Sequence, residues 1–128
     1  MSARVVHLDT HVVAWLYAGL IHHLSDAARE VLAQAELQVS PAVLLELDAL
    51  HNAGILHLPS REILPDLGRR LGLSVAKVDF LELVQAASAG SYGEDPYDQL
   101  ICAHARLAEA PLLTKDARLH ASFPQALW

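Results

Sequence analysis

At 128 residues the chain has room for one compact domain and not two, and it can bury about two-thirds of its unfolded surface, enough for a core without disulfides or a structural metal. A composition 53% hydrophobic and 19% charged excludes intrinsic disorder. Nine basic against fifteen acidic residues leave a net charge of −6, which excludes the broad basic surface of a simple duplex-DNA binder, and the lone Cys102 excludes a disulfide framework or zinc ribbon and fits a reducing compartment.

Val5 to Leu8 is a short, β-branched apolar run ending at Asp9 and reads as a buried strand. Thr10 to Tyr17 reads as a helix closed near Gly19. Ser25 is a good N-cap for a second helix over Ala27 to Ala35. Leu37-Gln38-Val39 is a second strand, and Ser40-Pro41 sets a cap and then a proline at the first position of a helix running to about Asn52 and stopping at Gly54. Ser60-Arg61-Glu62-Ile63 opens another helix, whose geometry Pro65 disturbs. Leu71 to Ala76 is read as a short strand, and Asp79 as the cap of a helix ending near Gly90. After a loop over Ser91 to Glu94, Asp95-Pro96 opens a helix through Glu109. Pro111 to Thr114 is the next strand, a short helix follows Asp116, and Ala126-Leu127-Trp128 docks as a last strand. Strands alternating with helices predict an α/β fold with a parallel sheet, whose sites lie at the C-terminal ends of the strands.

Acidic residues gather at that edge. Asp9 leaves the first strand, Asp116 follows the Leu112–Thr114 strand, Asp95 and Asp98 open a helix on the same side, and Glu46 sits inside the helix after the second strand. Each has a plainer role as well. Asp9, Asp95 and Asp116 can cap helices, Asp98 suits a first turn, and Glu46 can be an exposed helix residue. Carboxylates sharing a cleft repel one another, and nothing nearby in the sequence supplies an obvious arginine partner. The economical counter-ion is therefore a hard divalent cation, and Mg²⁺ or Mn²⁺ held by carboxylates is the usual device for phosphodiester hydrolysis.

Four segments together carry a resemblance that spans essentially the whole chain. They are Leu8-Asp9-Thr10-His11 leading to Ala14-Trp15-Leu16, Val39-Ser40-Pro41 leading to Leu45-Glu46, Asp95-Pro96-Tyr97-Asp98 leading to Leu100-Ile101, and Leu113-Thr114-Lys115-Asp116-Ala117-Arg118-Leu119. In order and spacing the chain resembles the PIN-domain nucleases, and among them the VapC-like toxins of toxin–antitoxin pairs. The resemblance implies a single PIN-like domain over residues 1–128, an α/β fold built as a three-layer α/β/α sandwich around a central, mainly parallel sheet. It implies that Asp9, Glu46, Asp98 and Asp116 form a catalytic site binding Mg²⁺ or Mn²⁺, with Asp95 and Thr114 as accessory residues. Metal-dependent endonucleolytic cleavage of RNA, a small antitoxin partner and homodimers are implied with it. The chain departs from the usual toxin pattern at Leu45, where an aromatic residue often stands, at Gln99, commonly arginine, and at Tyr92-Gly93-Glu94, where a His-Arg pair is familiar. Positive charge for RNA would then come from Arg61, Arg69, Arg70, Lys115 and Arg118.

His22-His23 would point to different faces of a helix, His7 reads as a packed strand residue, the resemblance implies a near-site position without a fixed role for His11, and His51, His57, His104 and His120 are scattered, so a histidine zinc site is disfavoured. Cys102 reads as packing rather than a nucleophile. Trp15 reads as core, and Val12, Val13, Leu16 and Leu20 as core or a dimer face. A phosphoacceptor receiver domain needs two acids early in the chain, and only Asp9 stands at the first strand exit. A PIN nuclease of RNA processing without an antitoxin, or a non-cleaving PIN module that binds RNA or protein, remains open. No apolar stretch reaches the ~20 residues needed to span a bilayer. Asp9 falls where a signal peptide would need its apolar region, so the expected location is cytoplasmic.

Overall fold

The computed structural model describes residues 4–128. Five short strands form one sheet: β1 (Val5–Leu8), β2 (Glu36–Val39), β3 (Ser74–Val75), β4 (Leu112–Leu113) and β5 (Ala126–Leu127). They lie in the order β3-β2-β1-β4-β5, and every pairing is parallel. The seven helices among the described residues are α1 (Thr10–Ala18), α2 (Asp26–Gln34), α3 (Pro41–Asn52), α4 (Ser60–Leu71), α5 (Phe80–Ala89), α6 (Pro96–Leu107) and α7 (Ala117–Ser122). The architecture is the expected three-layer α/β/α sandwich. Parallel strands covered on both faces have no solvent side, so they carry continuous apolar runs. Val6, Leu8, Leu37, Val39, Leu112 and Leu113 accordingly sit at the centre of the core.

Local chemistry accounts for most boundaries. Ser25, Ser40 and Asp79 cap α2, α3 and α5 by accepting a backbone N–H with a side-chain oxygen, and Gly19 ends α1 in the left-handed conformation that glycine takes without penalty. Three elements differ from the sequence reading. The stretch from Leu71 to Ala76 is not one strand: Leu71 finishes α4, Gly72 turns in the left-handed region, and only Ser74–Val75 pairs with β2. α6 stops at Leu107 rather than Glu109, because Glu109 takes φ 53°. Leu20 is exposed, and His22 and His23 belong to a 3₁₀ turn over Ile21–His23 that brings their rings to 4.5 Å of each other instead of to opposite faces.

α4 runs straight through Pro65. Its apolar stripe, Ile63 and Leu67, is buried in the core, and that burial outweighs the backbone bond the proline removes. The helix start also has a non-local support. Asp48 on α3 accepts from the Ser60 N–H at 2.7 Å and from the Ser60 hydroxyl at 3.0 Å, so α3 supplies the cap that Pro59 cannot.

This topology sets the place of the site. β1 pairs with β2 on one side and β4 on the other, so the chain direction across the sheet reverses at the β1–β4 boundary, where a crevice opens beyond the carboxyl ends of the strands. α1 packs on α3 and α3 on α6, which brings their N-terminal halves to the same edge.

Candidate active site

The β1 strand hands the chain to Asp9, which is buried and caps α1 with Oδ1 on the Thr10 N–H at 2.8 Å. Its other oxygen, Oδ2, accepts from the Thr114 hydroxyl at 2.6 Å, across the β1–β4 boundary. Thr114 in turn accepts the Asp116 N–H at 3.1 Å, so one buried hydroxyl couples the two strand exits. Asp116 caps α7, and Asp95 caps α6 by taking the N–H groups of Tyr97 and Asp98. Asp98 occupies the first turn of α6, where the helix dipole favours a negative charge. Three of the acids are therefore helix caps as well as site candidates, and capping is what points them at this edge.

Electrostatics ties all five together. Burial pushes the Asp98 carboxyl up to about 7, and the charges of Asp95, Asp9, Glu46 and Asp116 push the same way. Burial also raises Asp9, opposed by the Thr114 and Thr10 hydrogen bonds and by His11. Glu46, half-buried on α3, is raised by desolvation and by Asp9 and Asp95. The structure thus places Asp9, Glu46, Asp95, Asp98, Thr114 and Asp116 in one neighbourhood. Asp95, Asp98 and Arg118 line a cleft of about 260 Å³ with Tyr92, Gly93 and Leu119.

The donor set is all hard oxygen, which suits a small divalent cation such as Mg²⁺ or Mn²⁺ rather than zinc. Beyond the effect of burial, four neighbouring carboxylates raise Asp98, and among the described residues no ion pair offsets its charge; in this respect the residues fit such an ion. Among the described residues, however, no three His, Cys, Asp or Glu side chains stand close enough to share an ion in their present rotamers. The hydrogen bonds give the reason: Asp9 and Asp95 are turned to backbone N–H groups, and Asp116 is turned to a cation.

That cation is Arg118, which corrects the expectation that no arginine serves these acids. Its Nη2 lies 2.9 Å from Asp116 Oδ2 and its Nε 3.3 Å from Oδ1. The pair holds the Asp116 carboxyl below its ordinary range. Of the other proposed RNA contacts, Arg69 and Arg70 are engaged by Asp66, whereas Arg61 and Lys115 form no ion pair among the described residues.

Thr10, which the sequence did not single out, and His11, expected near the acids without a fixed role, are further neighbours. The Thr10 hydroxyl is fully buried without a well-aligned partner and faces Glu46, favouring its charged form. His11 is exposed and faces both Asp9 and Glu46. Thr10 directly follows the first strand's acid, and that adjacency was its only available signal. At the departures from the toxin pattern, Leu45 is an exposed leucine beside Glu46, and Gln99 donates its amide to the Gly93 carbonyl at 2.6 Å. Gln99 thereby ties down the altered loop that precedes Asp95. Trp15 is half-buried, stacked on His23 at 5.0 Å, and Cys102 is buried with its thiol pushed up to about 12, mainly by desolvation, as packing and not nucleophilic use requires.

A family model described as PIN domain matches residues 6–122. No curated protein matches the chain by sequence. Among solved structures the fold is similar to VapBC2 from Rickettsia felis bound to a DNA fragment from their promoter, at 15% identity and TM-score 0.67, covering 96% of each chain. It is equally similar to a toxin-antitoxin complex from Klebsiella pneumoniae, at 15% identity and TM-score 0.66, again covering 96% of each chain.

Proposed function

Because the chain belongs to the PIN domain family, a nuclease family, we propose that it is a Mg²⁺- or Mn²⁺-dependent endoribonuclease and the toxin of a toxin–antitoxin pair. The observation that carries the reading is that Asp9, Glu46, Asp98 and Asp116, with Asp95, share one electrostatic neighbourhood at the carboxyl edge of the sheet beside the β1–β4 boundary. These four acids are the residues that would hold the ion, with Asp95 and Thr114 in support. A bound Mg²⁺ or Mn²⁺ supplies an activated water and neutralises charge on the phosphoryl oxygens.

The chain's own part is positioning. Thr114 and the Thr10 N–H fix both oxygens of Asp9, so that carboxylate is oriented before any ligand arrives. Glu46 enters from a different helix and is half-buried, which suits it to complete the ion's shell or to orient the attacking water. The toxin assignment is supported by the two complexes whose fold this chain shares. The same reading takes residues 1–128 as one domain acting in the cytoplasm as a homodimer, with a small antitoxin covering the crevice.

The test is cleavage of an end-labelled RNA pool with Mg²⁺ or Mn²⁺, beside EDTA and Asp98→Asn controls. Cutting that disappears in both controls supports the nuclease. Intact RNA with a folded, metal-loaded protein moves the reading to a non-cleaving PIN module. Expression of the chain alone in a bacterial host is expected to arrest growth, and Asp98→Asn to relieve the arrest. Active protein without arrest would favour an RNA-processing nuclease that has no antitoxin.

A further inference from the structure

The proposed metal residues are not equally available. Asp9 is fixed by the Thr10 N–H and the Thr114 hydroxyl, and among the described residues Asp98 and Glu46 form no ion pair. Asp116 alone has both oxygens on a guanidinium. The Arg118 side chain is 81% exposed, and among the described residues its one ion-pair partner is Asp116, two positions back in the chain. It also feels Asp98 and Asp95 and lines the cleft that they share. An exposed ion pair of this kind is held weakly and is cheap to break. Arginine has five donors in a planar fork, so a released guanidinium is well suited to an oxygen-rich anion such as a phosphodiester.

We infer that Arg118 is a resident counter-ion of the acid cluster, a positioning residue that holds Asp116 out of the donor set and gives it up when a divalent cation enters. The inference rests on the metal-nuclease reading above, and it accounts for the one acid of the cluster that is turned to a cation. The exchange is a substitution of charge: one guanidinium leaves the cluster as one divalent ion joins it, and the freed Arg118 stays tethered at the mouth of the cleft, where the substrate's phosphates must pass.

Mn²⁺ titration of the full chain by calorimetry separates the possibilities without reference to cleavage. Removing the competing cation in Arg118→Gln is expected to tighten Mn²⁺ binding roughly three- to tenfold, because both the ion pair and a nearby like charge are lost. Lys115→Gln removes a charge of the same sign from an exposed neighbour that makes no ion pair among the described residues, and screening should hold its effect below about twofold. In a ¹⁵N spectrum of the wild type, the Arg118 Nε–H signal is expected to shift on addition of Mg²⁺. Unchanged or weaker Mn²⁺ binding in Arg118→Gln overturns the inference and leaves the metal reading standing. A Lys115→Gln effect as large as that of Arg118→Gln overturns it too, since general electrostatics then suffices. An Arg118 signal that stays put while Mg²⁺ binds has the same consequence. Absence of Mn²⁺ binding in all three proteins overturns both readings.

Discussion

Asp98 shows most directly how a single residue at this site is set against the fold. Its carboxyl is charged in the unfolded chain above pH 4 but is resisted in the folded one, where burial and four neighbouring acids lift it to about 7. A raised carboxyl weakens the fold when ionised, so removing the charge must stabilise it. Asp98→Asn is therefore expected to abolish cleavage while raising stability at pH 8 in EDTA, and half-exposure of the group discounts the gain to about 1–2 kcal/mol. Urea denaturation of the two proteins measures this, and an asparagine variant no more stable than the wild type would contradict the account of crowded charge. The residues of the site were legible as types and spacings. Asp9, Asp95 and Asp116 each stand where a strand or loop hands over to a helix, so one local feature announces both a cap and a candidate ligand. The Arg118–Asp116 pair was hidden although a single residue separates its members, because nothing in a spacing says which way an exposed side chain turns. The bond from Thr114 to Asp9 spans 105 residues, and only the sheet order creates it.

At the scale of elements, caps and apolar runs located the strands and helices that carry the acids, whereas the exceptions lie where tertiary packing decides. α4 is the clearest example. Read locally, Pro65 disturbs the geometry of this helix, and Pro59 offers α4 no side-chain cap. Burial of Ile63 and Leu67 and the reach of Asp48 from α3 settle the matter the other way. Two predictions follow from that balance, with opposite signs. Pro65→Ala restores a backbone N–H inside a continuous helix and is expected to stabilise the protein by about 1–2 kcal/mol, the helix gain being offset by a freer unfolded chain. Asp48→Ala removes the shared cap and is expected to cost about 1–2 kcal/mol. Thermal melts of the two variants provide the check. A Pro65→Ala protein that melts lower would mean that the proline stiffens the unfolded chain more than it disturbs the helix. The short strands were harder to bound than the helices, since β3, β4 and β5 have two residues each and too little length for a pattern.

For the whole molecule, the site and the core pull stability in opposite directions as pH falls. His7 lies on β1 and His104 on α6, their rings 5.1 Å apart and edge to face, both buried. Among the described residues neither ring nitrogen of His7 has a partner, whereas His104 Nδ1 meets the Ser40 hydroxyl at 2.8 Å. Desolvation, and secondarily the charge of His104, pushes His7 down to about 4, and desolvation lowers His104 as well. Below pH 6.5 the unfolded chain takes up a proton at His7 that the folded chain refuses until about pH 4, so stability falls across that window. Asp98 acts with the reverse sign. Between about 7 and 4 the folded chain binds the proton more tightly than the unfolded one, so stability rises as pH drops. Between pH 7.5 and 5 the His7 term amounts to a loss of about 2 kcal/mol, and the half-exposed Asp98, discounted for solvent, returns about 1. The wild type in EDTA should therefore lose stability gently on acidification, and Asp98→Asn should lose it about twice as steeply over the same range. Urea unfolding of both proteins at pH 7.5, 6 and 5 tests the opposition. Parallel curves would mean that Asp98 is not the group titrating there. A steeper wild-type curve would reverse the assigned signs, leaving the acid cluster rather than the paired core histidines as the acid-labile part of the molecule.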